Sequence, residues 1–375
     1  MPPHVSVPLL KELARDKVLY KVCEIIIEEI FFSDDDDWEA FGPPVLSERL
    51  QTARDVLANT VSTNMLEEIL NIILEKDLDV EPTVRYLALQ LLLVTGVSSL
   101  AVGNFPESYY SLVLEAIAQS CASLRKLDLK GLWIRPKDKL AFCKVVRRLH
   151  DVRHLTVKYV CDDELLAIIG KHCRILERLD ISGSHNISEE GIESFIANPS
   201  KSLNGFTSDV CATLQIIDFG GPGAQQLSPA LGTKLLLSLP KLISLGSFEK
   251  TGQSLELIYK DNPNKTVGLR YIHDVKTNSQ RLSIIAKMCP DLQAVYLDCP
   301  GSVAVQHLHM LKKMTEVKLH KAKWADIKVL IESCGTRLRS IFLITVWGPL
   351  NFIDLGAQCP NLIRLELHLV SLLCS

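Results

Sequence analysis

The chain has 375 residues, 47% of them hydrophobic and 23% charged, and carries a net charge of −3. This balance supports a large buried core and excludes an intrinsically disordered chain. The charge is uneven: residues 1–118 hold 8 Lys+Arg against 20 Asp+Glu, and residues 119–375 hold 33 against 24, so two regions with different partners are expected.

The opening "MPPHVSVPLLKELARDK" has no basic segment followed by an apolar one and does not read as a signal peptide. The odd count of 11 cysteines then favours reduced thiols and a cytoplasmic and/or nuclear protein. The sequons at Asn186 and Asn264 read as chance. Residues 8–32 predict an apolar helix, followed by the run Asp34–Asp37, a solvated loop without the alternation and closing Glu of a calcium loop. Further helices are predicted over 46–58, 63–76, 82–95 and 107–119. Within the third of these, "DVEPTVRYLALQLL" resembles the second helix of a HEAT repeat at Val84 and Arg85. The uncharged span Tyr86–Pro106 reaches membrane length, but Gln90, Thr95, Gly96, Ser98, Ser99 and Asn104 make its second half polar. It predicts a buried helix ending near Gly96 and no membrane association. Residues 1–118 thus read as an all-α, acidic N-terminal domain.

From residue 119 onward the pattern L-x-x-L-x-L recurs, with first anchors at Leu124, Val152, Leu176, Leu214, Leu242, Leu269, Leu292, Met314, Leu338 and Leu362. The successive intervals of 28, 24, 38, 28, 27, 23, 22, 24 and 24 residues are those of a leucine-rich repeat. Each copy supplies a short strand with alternate side chains inward, then a turn and a helix. No copy can bury its apolar edge alone, so neighbours must stack. The fold class expected is therefore α/β: a horseshoe leucine-rich-repeat solenoid of about ten coils over 119–375, preceded by the all-α domain. Helices fit "DDELLAIIGKHC", "SEEGIESFIAN", "RLSIIAKMC", "WADIKVLIESC" and "LNFIDLGAQC", with Ser188 placed to cap the second. The copies "LISLGS" and "LRYIHD" lose their last apolar anchor. The longest interval adds the polar stretch Asn198–Val210, a surface loop. The chain ends just past the tenth strand in "LIRLELHLVSLLCS", with no polar cap, so a shortened form or a covering partner is expected there.

Cys121, Cys173, Cys211, Cys289, Cys334 and Cys359 each stand two to four residues before an anchor and are expected to be small, inert core thiols. This placement resembles the cysteine-containing leucine-rich repeats of F-box substrate receptors of ubiquitin ligases, whose pattern is C-x-x-L-x-x-L-x-L-x-x-C followed by I-T-D-x-G-I. "CRILERLDISGSHNISEEGI" follows it with Ser184 in place of the second cysteine and Ser188-Glu189 in place of Thr-Asp. An F-box itself, with an L-P-x-E opening and a V-C-x-x-W core, is absent. A second group, the elongin–cullin receptors that include the Zyg family, joins an adaptor box to leucine-rich repeats. "PLLKEL", Pro8–Leu13, resembles that box with Leu13 replacing cysteine, and "GPPVLSERL", Gly42–Leu50, resembles a cullin box. The resemblance implies that Leu9, Leu13, Pro43 and Leu46 contact a cullin adaptor. The same helices can equally serve as a cap over the first coil.

No catalytic constellation, cofactor motif or metal site emerges, and the chain reads as a non-enzyme. "FGGPGAQQL", Phe219–Leu227, lacks the spacing that cradles phosphates and reads as an inter-coil loop. His307 and His309 have no H-E-x-x-H or partner cysteine and read as loop or helix residues. What remains is the outward strand face, where Lys158 and Arg178 lie early and Tyr296, Lys318, Phe342 and Ile344 late. Exposed aromatics on such a face are interface anchors, so these six residues form the expected concave-face site for a protein partner. Nucleic acid is disfavoured because the +9 excess of 119–375 is diluted by 24 acids and contains no basic run. The function expected is substrate recognition within a cullin-type ubiquitin ligase, or else a non-catalytic repeat scaffold with no ligase link.

Overall fold

The computed structural model describes residues 10–32, 47–75, 80–103, 105–196, 209–221 and 227–368. The protein is a mixed α/β fold whose strands all pair in parallel and alternate with helices. It divides into two compact units: residues 1–160 with 172–176, and residues 161–171 with 177–375. The expected boundary at 118/119 lies inside the first unit.

The first unit opens with helices Leu10–Phe32, Glu48–Thr60, Thr63–Leu74 and Pro82–Leu92. Local chemistry sets their starts. The Ser47 hydroxyl accepts from Leu50 N–H at 3.1 Å, and Pro82 takes the first turn, where a missing N–H costs nothing. In Thr63–Leu74 the buried side chains Leu66, Ile69, Leu70, Ile73 and Leu74 recur at helical spacing and form one face. Val22, Ile26, Leu87, Leu91, Val113 and Ile117 complete this core.

The reading of 1–118 as entirely helical needs correction. The helix from Pro82 stops at Leu92 rather than near Gly96, and Ser99–Ala101 forms a strand, β1, paired with β2 (Lys126–Asp128) through Leu100↔Leu127. "VSSLAV" is a further copy of the repeat, with Val97, Leu100 and Val102 buried as its three anchors. Glu67 fixes its entry by accepting from Ser98 N–H at 2.8 Å, the Ser98 hydroxyl at 2.9 Å and Ser99 N–H at 3.1 Å. Helices Tyr110–Ser120 and Lys139–Arg148 follow, with β3 (His154–Thr156) paired to β2.

The second unit continues the same alternation. β4 (Arg178–Asp180) pairs with β5 (Ile216–Asp218). β6 (Tyr271–Val275), β7 (Ala294–Asp298), β8 (Glu316–His320), β9 (Ser340–Ile344) and β10 (Arg364–His368) form a five-stranded sheet in that order. The intervening helices include Asp163–His172, Glu189–Ile196, Pro229–Ser238, Thr251–Asp261, Ser279–Met288, Trp324–Cys334 and Phe352–Gln358. Ser188 caps its helix as expected, accepting from Gly191 N–H at 3.0 Å, and its hydroxyl donates to Asp163 at 2.7 Å. Of the expected loop 198–210, Asp209 and Val210 instead begin a short helix, Asp209–Thr213, and 198–208 lie outside the described residues. So do Asp34–Asp37, residues 222–226 of the glycine-rich stretch, and the chain end beyond His368.

First anchors Leu124 through Leu338 are buried, each side chain contributing roughly 1.5–3 kcal/mol of apolar transfer. The two copies lacking a third apolar anchor behave differently. "LISLGS" forms no strand, only a bridge between Ser244 and Ile216. In "LRYIHD" the fully buried Asp274 fills the anchor position. It accepts from Gly252 N–H at 2.8 Å, the Thr277 hydroxyl at 2.6 Å and Arg281 Nη1 at 3.3 Å, while Arg281 Nε lies 3.2 Å from Glu256. A polar anchor is tolerated because every charge has a partner.

A feature of the turns was not visible in the sequence. Two residues past the third anchor, the backbone is left-handed at Tyr159, Gly183, Gly221, Lys276, Cys299, Lys321 and Thr345, with φ of 66, 76, 99, 55, 49, 55 and 52°. A side chain there costs about 1–2 kcal/mol. The cost is offset where the N–H of Lys276, Cys299, Lys321 and Thr345 donates to a carbonyl of the next strand, at 2.8–3.0 Å. The six cysteines before the anchors are buried free thiols. Burial pushes Cys121 up to about 11 and Cys173 and Cys289 up to about 12, so these thiols stay protonated and unreactive near neutrality.

Candidate functional site

In the sheet β6–β10, residues directly opposite one another form rows. One row runs His273, Tyr296, Lys318, Phe342, Glu366; the next runs Val275, Asp298, His320, Ile344, His368. Strand spacing of about 4.8 Å brings each row's side chains into contact. The rings of His273 and Tyr296 stack with centroids 4.1 Å apart and planes 11° apart. Lys318 Nζ sits 4.3 Å above the same Tyr296 ring, and Arg364 Cζ lies 5.0 Å from the Phe342 ring. In the adjacent row His320 Nδ1 lies 2.8 Å from Asp298 Oδ1.

Burial lowers the His273 pKa despite a bond between Nδ1 and the Ser247 carbonyl at 3.1 Å, so the ring is neutral at pH 7. That contact makes Nδ1 the protonated nitrogen. Burial, then the Asp298 and Glu249 charges, raise the Tyr296 phenol, which remains un-ionised. The cations lie over ring faces, each such contact being worth about 0.5–1 kcal/mol at an exposed site. The result is a half-buried strip of aromatic, aliphatic and cationic side chains on one sheet.

Tyr296, Lys318, Phe342 and Ile344 therefore lie on three adjacent strands. Arg178 is exposed on β4, which pairs with β5 and not with this sheet, and Lys158 follows β3 in the first unit. Of the four residues expected to meet an adaptor, Leu13 is half-exposed on helix Leu10–Phe32; Leu9, Pro43 and Leu46 lie outside the described residues. His307 and His309 lie in a helical turn, His307–Met310. Among the described residues no group of His, Cys, Asp or Glu could hold a metal ion, and no helix is long and apolar enough to cross a membrane.

Sequence reasoning missed His273. Its signal was present: Leu269 plus four gives His273, as Leu292 plus four gives Tyr296, but the copy had been set aside for want of a third apolar anchor. It also missed the stacked pair Trp133 and Tyr159 in the first unit, because both follow their strands rather than lie in them.

No family model matches the chain, and no curated protein is significantly similar to it. Among solved structures, a chain of the crystal structure of the yeast Rad7–Elc1 complex is similar over 97% of this chain and 88% of its own length, at 16% identity and a TM-score of 0.55. The leucine-rich-repeat protein LegL7 from Legionella pneumophila is similar over 72% of this chain and 91% of its own, at 14% identity and a TM-score of 0.34. The first of these likenesses is one of fold.

Proposed function

We propose that the chain is a non-catalytic protein-interaction module that holds a protein substrate on the outward face of β7–β9 while its N-terminal helices dock the core of a cullin-type ubiquitin ligase. This reading takes the repeats to stack as a horseshoe solenoid with these strands on its concave side. The observation carrying this reading is the row Tyr296–Lys318–Phe342 with Ile344 beside it, a group of half-buried aromatic and aliphatic anchors flanked by cations. The Rad7–Elc1 neighbour was solved as a complex of two proteins, which supports a protein partner. Leu10 and Leu13, 82% and 51% exposed on the first helix, supply the apolar surface an adaptor needs. The alternative, a scaffold whose helices only cap the repeats, is favoured by the burial of Val22 and Ile26 from that same helix in the first unit's core.

The two readings separate by affinity purification of the tagged full chain beside its Leu13→Asp variant. Recovery of a cullin and its adaptor with the wild type, and their loss with the variant, supports ligase docking. Recovery of neither with the wild type leaves the scaffold reading.

A further inference from the structure

The basic excess of residues 119–375 is concentrated in one place. Residues 119–160 hold 11 Lys+Arg and 3 Asp+Glu. Part of this charge surrounds a cavity of about 730 Å³ on the strand face of the first unit, lined by β1, β2, the turns that follow β2 and β3, and helix Thr63–Leu74. Its volume lies within the roughly 300–1,000 Å³ of binding pockets.

Three features make it a built site. Trp133 and Tyr159 line it with their rings stacked 5.2 Å apart and only 3° from parallel, yet 63% and 50% exposed. Two such rings leave a large apolar area in water, which a ligand would cover with gain. Lys126 and Lys130, also lining the cavity, are exposed, and neither ammonium has an ion-pair partner among the described residues. Finally, the floor is bare backbone. A Cβ on Gly131 would stand 2.4 Å from the Gly103 carbonyl oxygen, and one on Gly103 would stand 2.2 Å from the Leu74 oxygen. Only glycine permits this approach, and it leaves the cavity open rather than filled by side chains.

We propose that this cavity is a second docking site, distinct from the β7–β9 face, for a short acidic peptide segment. An aromatic or aliphatic side chain of the peptide inserts against Trp133 and Tyr159, and its flanking carboxylates pair with Lys126 and Lys130. A nucleic acid strand fits less well. Asp128 and Glu75 line the same cavity, and residues 1–160 as a whole hold 19 Lys+Arg against 23 Asp+Glu, so a continuous polyanion meets repulsion. A peptide can place its charges only where the lysines are. The inference does not depend on the ligase reading.

The test is selection of a displayed random 12-residue peptide library on the full chain, with counter-selection on Trp133→Ala and on Lys126→Ala/Lys130→Ala. Both variants change exposed side chains, and circular dichroism checks their folding. The expected winners share an apolar residue flanked by Asp or Glu. A synthetic winner should bind at least tenfold more weakly to either variant, and tenfold more weakly when its acids become amides, while Phe342→Ala leaves its affinity unchanged. The proposal would be overturned by no enrichment, winners without acids, affinity indifferent to both variants, or loss on Phe342→Ala instead. A 12-residue oligothymidylate that binds more tightly and displaces the peptide would overturn it in favour of nucleic acid.

Discussion

Replacing Asp274 by leucine restores the apolar anchor that most repeats carry, and it should nevertheless destabilise the protein. In the native structure the carboxylate is fully buried and accepts from Gly252 N–H, the Thr277 hydroxyl and Arg281. Leucine at this position leaves all three donors without that acceptor. Arg281 keeps Glu256, but Glu256 is itself partly exposed and a weaker partner. Losing one partner of a buried ion pair costs about 3–5 kcal/mol. Regained apolar transfer of about 1.5–3 kcal/mol opposes this, so from the midpoints of the two ranges a net loss of about 2 kcal/mol is expected for Asp274→Leu. Asp274→Ala has no such gain and should lose about 3–5 kcal/mol. Asp274→Leu/Arg281→Met removes both charges and should recover most of the loss. Urea unfolding followed by circular dichroism gives the midpoints. If Asp274→Leu is as stable as wild type, or the double variant is less stable than the single, the ion cluster is not what permits a polar anchor there.

Other consequences can be checked alongside. Burial pushes the Asp138 carboxyl up, but the Ser111 hydroxyl and the Arg135 guanidinium and backbone outweigh it and hold the pKa below the ordinary value. A depressed carboxylate stabilises the fold above its unfolded pKa of about 3.9 and loses that contribution as pH falls through the lower folded value. The acid limb of a stability–pH profile should therefore be shallower in Asp138→Asn than in wild type. Gly191→Ala would place a Cβ 1.9 Å from the Asp163 carboxylate that holds Ser188, and should cost about 1–3 kcal/mol. Gly356→Ala, with nothing within 4 Å, should instead stabilise its helix by up to about 1 kcal/mol; equal midpoints for the two would refute the packing argument. Native alkylation mapped by mass spectrometry should label the part-exposed Cys23 and Cys299 before any of Cys121, Cys173 or Cys289. Early labelling of Cys173 would contradict its burial.

Much of the fold was legible because the period and the anchors express one physical need, the burial of an apolar strand edge. Leu127, Leu155 and Leu179 were readable for that reason, as was the Ser188 cap. β1 was not, since its anchors Val97 and Val102 flank polar Ser98 and Ser99 inside an uncharged run that continues a helix. The left-handed turns were not legible, because glycine stands at only two of them, Gly183 and Gly221. At Lys321 and Thr345 the conformation is imposed by a hydrogen bond to the neighbouring strand, and the residue type carries no trace of it. Tyr296, Lys318 and Phe342 could be aligned by counting from their anchors. The stacking of His273 on Tyr296 and the open Trp133–Tyr159 pair depend on three-dimensional neighbours that no local pattern encodes.

The central claim, that the β7–β9 face is where a protein substrate docks, is tested most directly by placing a photo-crosslinking phenylalanine analogue at position 342 of the full chain in cells. Position 329, exposed on helix Trp324–Cys334, serves as the comparison. The account predicts a discrete protein adduct from position 342 that is absent from position 329 and is lost when Tyr296→Ala is added. The same adducts from both positions, or none from position 342, would contradict it.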